Sequence, residues 1–109
     1  MSYEFAILES QEEDRVRLLL TGELDIASTP ALEDRLSRLR ANGLVVRLDL
    51  SKLEFIDSTG LRALIWAIDD ANSNGWHLQI ERNVAPQPAR LFELVHFERL
   101  IPGYDSDER

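Results

Sequence analysis

The chain contains no cysteine. That excludes thiol catalysis, disulfides and thiolate-bound metal, and it fits a reducing compartment. Lys52 is the only lysine, and the formal net charge of -8 leaves no basic excess. A surface this acidic is repelled by phosphate backbones and anionic lipid, so neither nucleic acid nor a membrane surface is an expected partner; a protein with a basic face is. The first residues lack the basic start and long apolar stretch of a secretion signal. No apolar run approaches the roughly 20 residues of a membrane span. Internal repeats, low-complexity segments and interdomain linkers are missing too. These absences together lead to an expectation of a soluble, cytoplasmic chain.

What is present suits one domain over residues 1–109, with a polar tail at about 105–109. The hydrophobic content of 44% is ordinary for a globular protein. A domain of this size buries enough surface to stand without disulfides or metal. Tyr3, Phe5 and Ile7 alternate with polar or small residues, and Val16, Leu18 and Leu20 do the same after a charged turn at 11–14, which predicts a β-hairpin. Thr29 as N-cap and Pro30 as first helical residue predict a helix with Leu32, Leu36 and Leu39 on one face, closed at Asn42-Gly43. Residues 44–50 are nearly all apolar apart from Arg47 and Asp49, as in a strand covered on both faces. A second helix carries Leu61, Leu64, Ile65 and Ile68 and ends near Gly75. Trp76, Leu78 and Ile80 alternate as a fourth strand. Pro86 and Pro88 precede a third helix striped by Leu91, Leu94 and Val95, and residues 99–101 are expected to form a last short strand. The order ββαβαβαβ specifies an α/β domain with a mixed, four- to five-stranded sheet flanked by helices.

The chain is organised around residues 48–61. There an apolar strand passes through a short connector into Asp57-Ser58-Thr59-Gly60 and then directly into the second helix. Asp, Ser and Thr all accept hydrogen bonds from unpaired N–H groups at a helix start, and one cap suffices. Three in a row leave at least one hydroxyl free. In open α/β sheets functional surfaces lie at the carboxyl ends of strands. The loop at 22–25 and the Asp57-Ser58-Thr59-Gly60 loop both end there.

At these residues the chain resembles the STAS domain of bacterial anti-sigma factor antagonists. The likeness rests on Leu20-Thr21-Gly22-Glu23-Leu24-Asp25, on Leu48-Asp49-Leu50-Ser51 and on Phe55-Ile56-Asp57-Ser58-Thr59-Gly60-Leu61, and continues more weakly through Arg90-Leu91-Phe92-Glu93-Leu94. The resemblance implies a switch. An anti-sigma factor that is itself a serine kinase binds the unphosphorylated antagonist and frees its sigma factor; phosphorylation ends the binding, and a phosphatase acting on phospho-Ser58 resets it. The family's phosphoacceptor falls on Ser58, and its loop aspartate falls on Asp25, as part of the kinase-contacting surface. The expected partner-binding set is Gly22, Asp25, Asp57, Ser58, Thr59, Gly60, Leu61 and Arg62. Two departures stand out: Arg62 replaces the second glycine of many antagonists, and residues 105–109 are too few for the family's usual closing helix.

Plainer roles compete at each position. Ser58, Thr59 and Asp57 can merely cap the helix, Gly22 can serve a bulge, and Asp25 and Arg62 can be solvated charges. His77 reads as a surface residue and His96 as a partner of a helix C-terminus. Trp66 and Trp76 read as packing residues, whereas an exposed Trp66 would indicate a protein contact. A hydrolase elbow fails because Ile56 occupies the first glycine position of Gly-x-Ser-x-Gly. No catalytic residues, metal ligands or cofactor are therefore expected. A scaffold of the same fold in a stressosome or a lipid-transport complex is the alternative to the phosphorylated switch.

Overall fold

A computed structural model describes residues 4–97. Strand β1 (Ala6–Gln11) turns into β2 (Arg15–Leu24) as an antiparallel hairpin with Gln11 opposite Val16. Helix α1 (Thr29–Leu39) leads, through one 3-10 turn, to β3 (Val45–Ile56). Helix α2 (Ser58–Asn74) leads to β4 (Leu78–Ile80), and α3 (Pro86–Leu94) follows. The sheet order is β1-β2-β3-β4, with β3 parallel to both β2 and β4. Both crossovers thus join parallel neighbours through a helix, as the alternation of elements requires. The expected strand at 99–101 and the tail at 105–109 lie outside the described residues.

The core is built from one face of the sheet. Val16, Leu18 and Leu20 of β2 and Val46, Leu48 and Leu50 of β3 are fully buried. They join Leu32 and Leu36 of α1 and Leu61, Leu64 and Ile68 of α2 in one cluster. Burying each such side chain contributes roughly 1.5–3 kcal/mol before chain entropy is counted. Among the alternate residues of the same strands, Arg17, Arg47 and Asp49 carry charge. Arg17 donates to Asp49 and to Glu81 at 2.8–2.9 Å, and Arg47 lies 3.6 Å from Glu81. The Glu81 hydrogen bond is the main reason the Arg17 guanidinium is held above its usual pKa. Arg47 and Asp49, the two charged residues of this otherwise apolar stretch, belong to an ion network that ties three segments of the sheet side by side.

Two expectations are corrected. Strand β3 does not stop at Leu50; it runs on to Ile56, so the supposed connector is strand. The pairing explains why its pattern is hard to read. Leu19 and Thr21 of β2 face Asp49 and Lys52, and Gly22 and Glu23 face Leu53 and Phe55, so β3 carries an extra residue at each of two irregularities. Each insertion shifts the inward-outward alternation by one. Helix α3 buries Pro88 and Phe92 rather than Leu94 and Val95, which are 68% and 36% exposed. Phe92 stacks on Phe97 with ring centroids 4.0 Å apart, and this contact sets which stripe turns inward.

Candidate functional site

The carboxyl ends of β2 and β3 meet. The Asp57 N–H donates to the Leu24 carbonyl at 3.2 Å, so the loop that starts at Asp25 and the start of α2 form one surface. Gly60 makes that approach possible. A Cβ at this position would lie 2.4 Å from the Leu24 carbonyl oxygen and 2.8 Å from Ile56 Cγ1, closer than any side chain can sit.

Asp57 takes the capping role alone. Its backbone is extended (φ -102, ψ -174), and its Oδ1 accepts from the Gly60 N–H at 2.9 Å. Ser58 and Thr59 are thereby the first two residues of the helix, with neither hydroxyl spent on the cap. Ser58 is exposed, and its hydroxyl has no hydrogen-bond partner among the described residues. Thr59 is half-buried and faces a groove between α1 and α2.

Asp25 does more than hang into solvent. Its Oδ1 accepts from the N–H groups of Ala27 and Ser28 at 3.0 and 3.1 Å, and its carbonyl accepts from Thr29 at 2.9 Å. The Ser28 hydroxyl accepts from the Asp25 N–H and donates to the Glu23 carbonyl, both at 2.8 Å. Ser28, not Thr29, is the N-cap residue of α1, and Thr29 is buried. Reciprocal side-chain bonds across three residues brace this loop. They hold Ile26 outward at 74% exposure. The Asp-x-x-Ser spacing was the available sequence signal for this brace.

Gln87 is a second residue that reading the sequence does not single out. Its amide accepts from the Ile56 N–H at 2.9 Å and donates to the Ile56 carbonyl at 3.0 Å. Strand β4 ends at Ile80, whose partner is Leu48, so the last residues of β3 have no β4 residue beside them. The Gln87 side chain stands in for a peptide group and fixes the strand end just before Asp57.

The expected docking residues thus divide. Asp25, Asp57, Ser58, Thr59 and Arg62 reach the surface to different extents, whereas Gly22, Gly60 and Leu61 are buried. Gly22, with φ +83 and the Glu4 carbonyl where its Cβ would be, admits the chain segment that precedes β1. These three shape the surface from beneath and offer it no side chain. Arg62 is exposed and forms no ion pair among the described residues. Trp66 is 59% exposed, against the expectation of packing, while Trp76 is buried at 9%. The Trp76 indole N–H donates to Asp70 at 3.0 Å, which is the main cause holding that carboxyl below its usual pKa; Arg40 and Asn74 bond it as well. No group of three or more His, Asp or Glu side chains capable of holding a metal occurs among the described residues. No helix among them is long and apolar enough to cross a membrane.

A family model described as "Mlab, STAS domain" matches residues 7–102. The chain belongs to the STAS-domain family. It is 29% identical over 91 residues to an anti-sigma-B factor antagonist of Bacillus subtilis, covering 84% of this chain and 83% of the relative. Among solved structures, an anti-sigma factor antagonist from Mycobacterium paratuberculosis superposes with a TM-score of 0.75 at 22% identity, covering 93% of this chain and 86% of the other. The antagonist SpoIIAA in its unphosphorylated form gives 0.71 at 18% identity over 88% of this chain and 85% of its own. The Bacillus SpoIIAA structure in the phosphorylated form gives 0.66 at 18% identity, covering 88% of each chain. At these identities the structural likenesses concern the fold, and this STAS domain shares it: a mixed four-stranded sheet with its helix starts gathered at one end.

Proposed function

We propose that this STAS domain is an anti-sigma factor antagonist. Unphosphorylated, it binds an anti-sigma factor serine kinase and releases the sigma factor; phosphorylation at Ser58 switches the binding off, and a phosphatase restores it. The observation that carries the reading is the exposed Ser58 hydroxyl at the first position of α2, which has no hydrogen-bond partner among the described residues because Asp57 caps the helix. A kinase must reach its acceptor, and a docking surface senses a new charge only where the charge is exposed to it. Membership of the family supports the reading, as do the relative's name as an antagonist and the two phosphorylation forms in which SpoIIAA is known.

On this reading the chain is a substrate rather than an enzyme, acts in the cytoplasm and binds neither nucleic acid nor membrane. Asp25, Asp57, Thr59 and Arg62 contact the kinase around Ser58, with Gly22, Gly60 and Leu61 fixing their positions. The second reading is a non-phosphorylated STAS scaffold or subunit making fixed contacts in a larger complex, and the family model that matches is described as a STAS domain rather than as an antagonist. Intact-mass measurement after mixing with the purified kinase and ATP separates the two. The switch requires one added phosphoryl group on the wild-type chain and none on Ser58→Ala. An unmodified wild-type chain, or continued full labelling of Ser58→Ala, contradicts it.

A further inference from the structure

Helices α1 and α2 leave between them a groove of about 560 Å³. Its wall on the α2 side is formed by Thr59, Arg62 and Trp66, and its α1 side includes Glu33 and Leu36. Thr59 is the neighbour of Ser58, so the groove begins at the proposed phosphoacceptor. Trp66 lies eight residues further along α2, on the order of 12 Å at 1.5 Å per residue, within the span of a single ordinary protein interface.

The polar groups of the groove are unequally satisfied. At the end near Trp76, Arg40 and the Trp76 indole N–H both bond to Asp70 at 2.8 and 3.0 Å. At that end the charges are already paired with one another. Nearer Ser58, Arg62 and Glu33 have no ion-pair partner among the described residues. Single exposed apolar residues are ordinary on protein surfaces. Here, however, a 59% exposed tryptophan borders an apolar-floored groove beside an unpaired arginine. Tryptophan and arginine are the residue types that dominate binding energy at protein interfaces. A small molecule needs enclosure over most of its surface, which a ring exposed on the rim does not supply.

Resting on the function proposed above, we infer that this groove receives a second part of the same kinase. An apolar side chain of the partner packs against Trp66, and a carboxylate beside it pairs with the Arg62 guanidinium. Arg62, a cation with no ion-pair partner among the described residues, selects the carboxylate, while Glu33 on the opposite wall disfavours a second one. The groove thereby sets which kinase is recognised, while Ser58 sets whether it is held. Arg62 is on this reading a specificity determinant.

The test titrates purified kinase, without ATP, against the wild-type chain, Trp66→Ala, Arg62→Gln, Arg62→Glu and Ser58→Glu. Trp66→Ala should weaken binding about thirtyfold, the scale of a hot-spot residue. Arg62→Gln should weaken it about tenfold, with a shallower salt dependence, and Arg62→Glu more than Arg62→Gln. Melting temperatures should stay at the wild-type value, because both side chains are exposed. Should Trp66→Ala lower the melting temperature, the two Arg62 variants decide alone. If the groove variants bind like the wild type while Ser58→Glu binds more weakly, the groove assignment is wrong and the switch at Ser58 stands. If the wild-type chain itself does not bind, both fall.

Discussion

Phosphorylating Ser58 should weaken binding to the anti-sigma factor kinase about a thousandfold while leaving the fold intact. The two halves of this expectation have the same origin. The new group carries about -1.5 to -2 charges and three acceptor oxygens. Within the monomer it sits at the first residue of α2, where unpaired N–H groups and the positive end of the helix dipole favour an anion. Ser58 is exposed, so the phosphate displaces nothing. Arg62 lies one turn on, the spacing at which helix side chains meet, and can moderate the charge further. At an interface the balance reverses. A surface matched to a neutral hydroxyl must strip water from a dianion, and Asp57 beside it adds repulsion. About 4 kcal/mol is within the cost of such a desolvation and corresponds to a thousandfold in affinity. Titrations with the phosphorylated and unphosphorylated chain, together with their melting curves, check both halves. Ser58→Glu, with a single charge, should fall between the two. Equal affinities would remove Ser58 from the interface.

Gly60→Ala should destabilise the domain by about 2–3 kcal/mol, a fall in melting temperature on the order of 10 °C. Helix propensity alone argues the opposite sign, since replacing glycine by alanine inside a helix stabilises by up to about 1 kcal/mol. The surroundings overrule it. The new Cβ would stand 2.4 Å from the Leu24 carbonyl oxygen, 2.8 Å from Ile56 Cγ1 and 3.0 Å from Leu24 Cγ. Leu24 and Ile56 are fully buried, and the Leu24 carbonyl is held by the Asp57 N–H. Neither can yield without moving the strand ends apart. Any relaxation also shifts Asp57 and Ser58 relative to Asp25, so kinase binding should weaken along with stability. Thermal denaturation of the variant gives the first number directly. A melting temperature at or above the wild-type value would mean that α2 does not seat as closely on β2 as the geometry requires.

The parts of this fold that follow a regular period are legible in the sequence, and the parts where a period is broken are not. The leucines of α1 and α2 repeat at helical spacing, and Val16, Leu18 and Leu20 alternate, so those elements and their inward faces can be read off. Strand β3 hides its second half because two irregularities against β2 shift its alternation. Helix α3 misleads because Leu94 and Val95 extend an apolar run, whereas the stacking of Phe92 on Phe97 is a tertiary contact that no local spacing announces. At the site, the run of three capping residues correctly implies a spare hydroxyl, but which residue caps is decided by backbone geometry at Asp57. Asp25 and Ser28 bond one another across a turn with a readable spacing. Gln87 reaches Ile56 from 31 positions away, and nothing local marks it. Trp66 shows the limit of a pattern argument: its spacing along α2 does not tell a packed ring from one left on the rim of a groove.

Release of sigma factor tests the central claim most directly. A purified complex of the anti-sigma factor kinase with its sigma factor, mixed with this chain and resolved by size, should give up free sigma factor in proportion to the unphosphorylated chain added. The Ser58-phosphorylated chain at the same concentration should leave the complex whole. Sigma factor that stays bound in both cases, or is freed equally by both, would contradict the account.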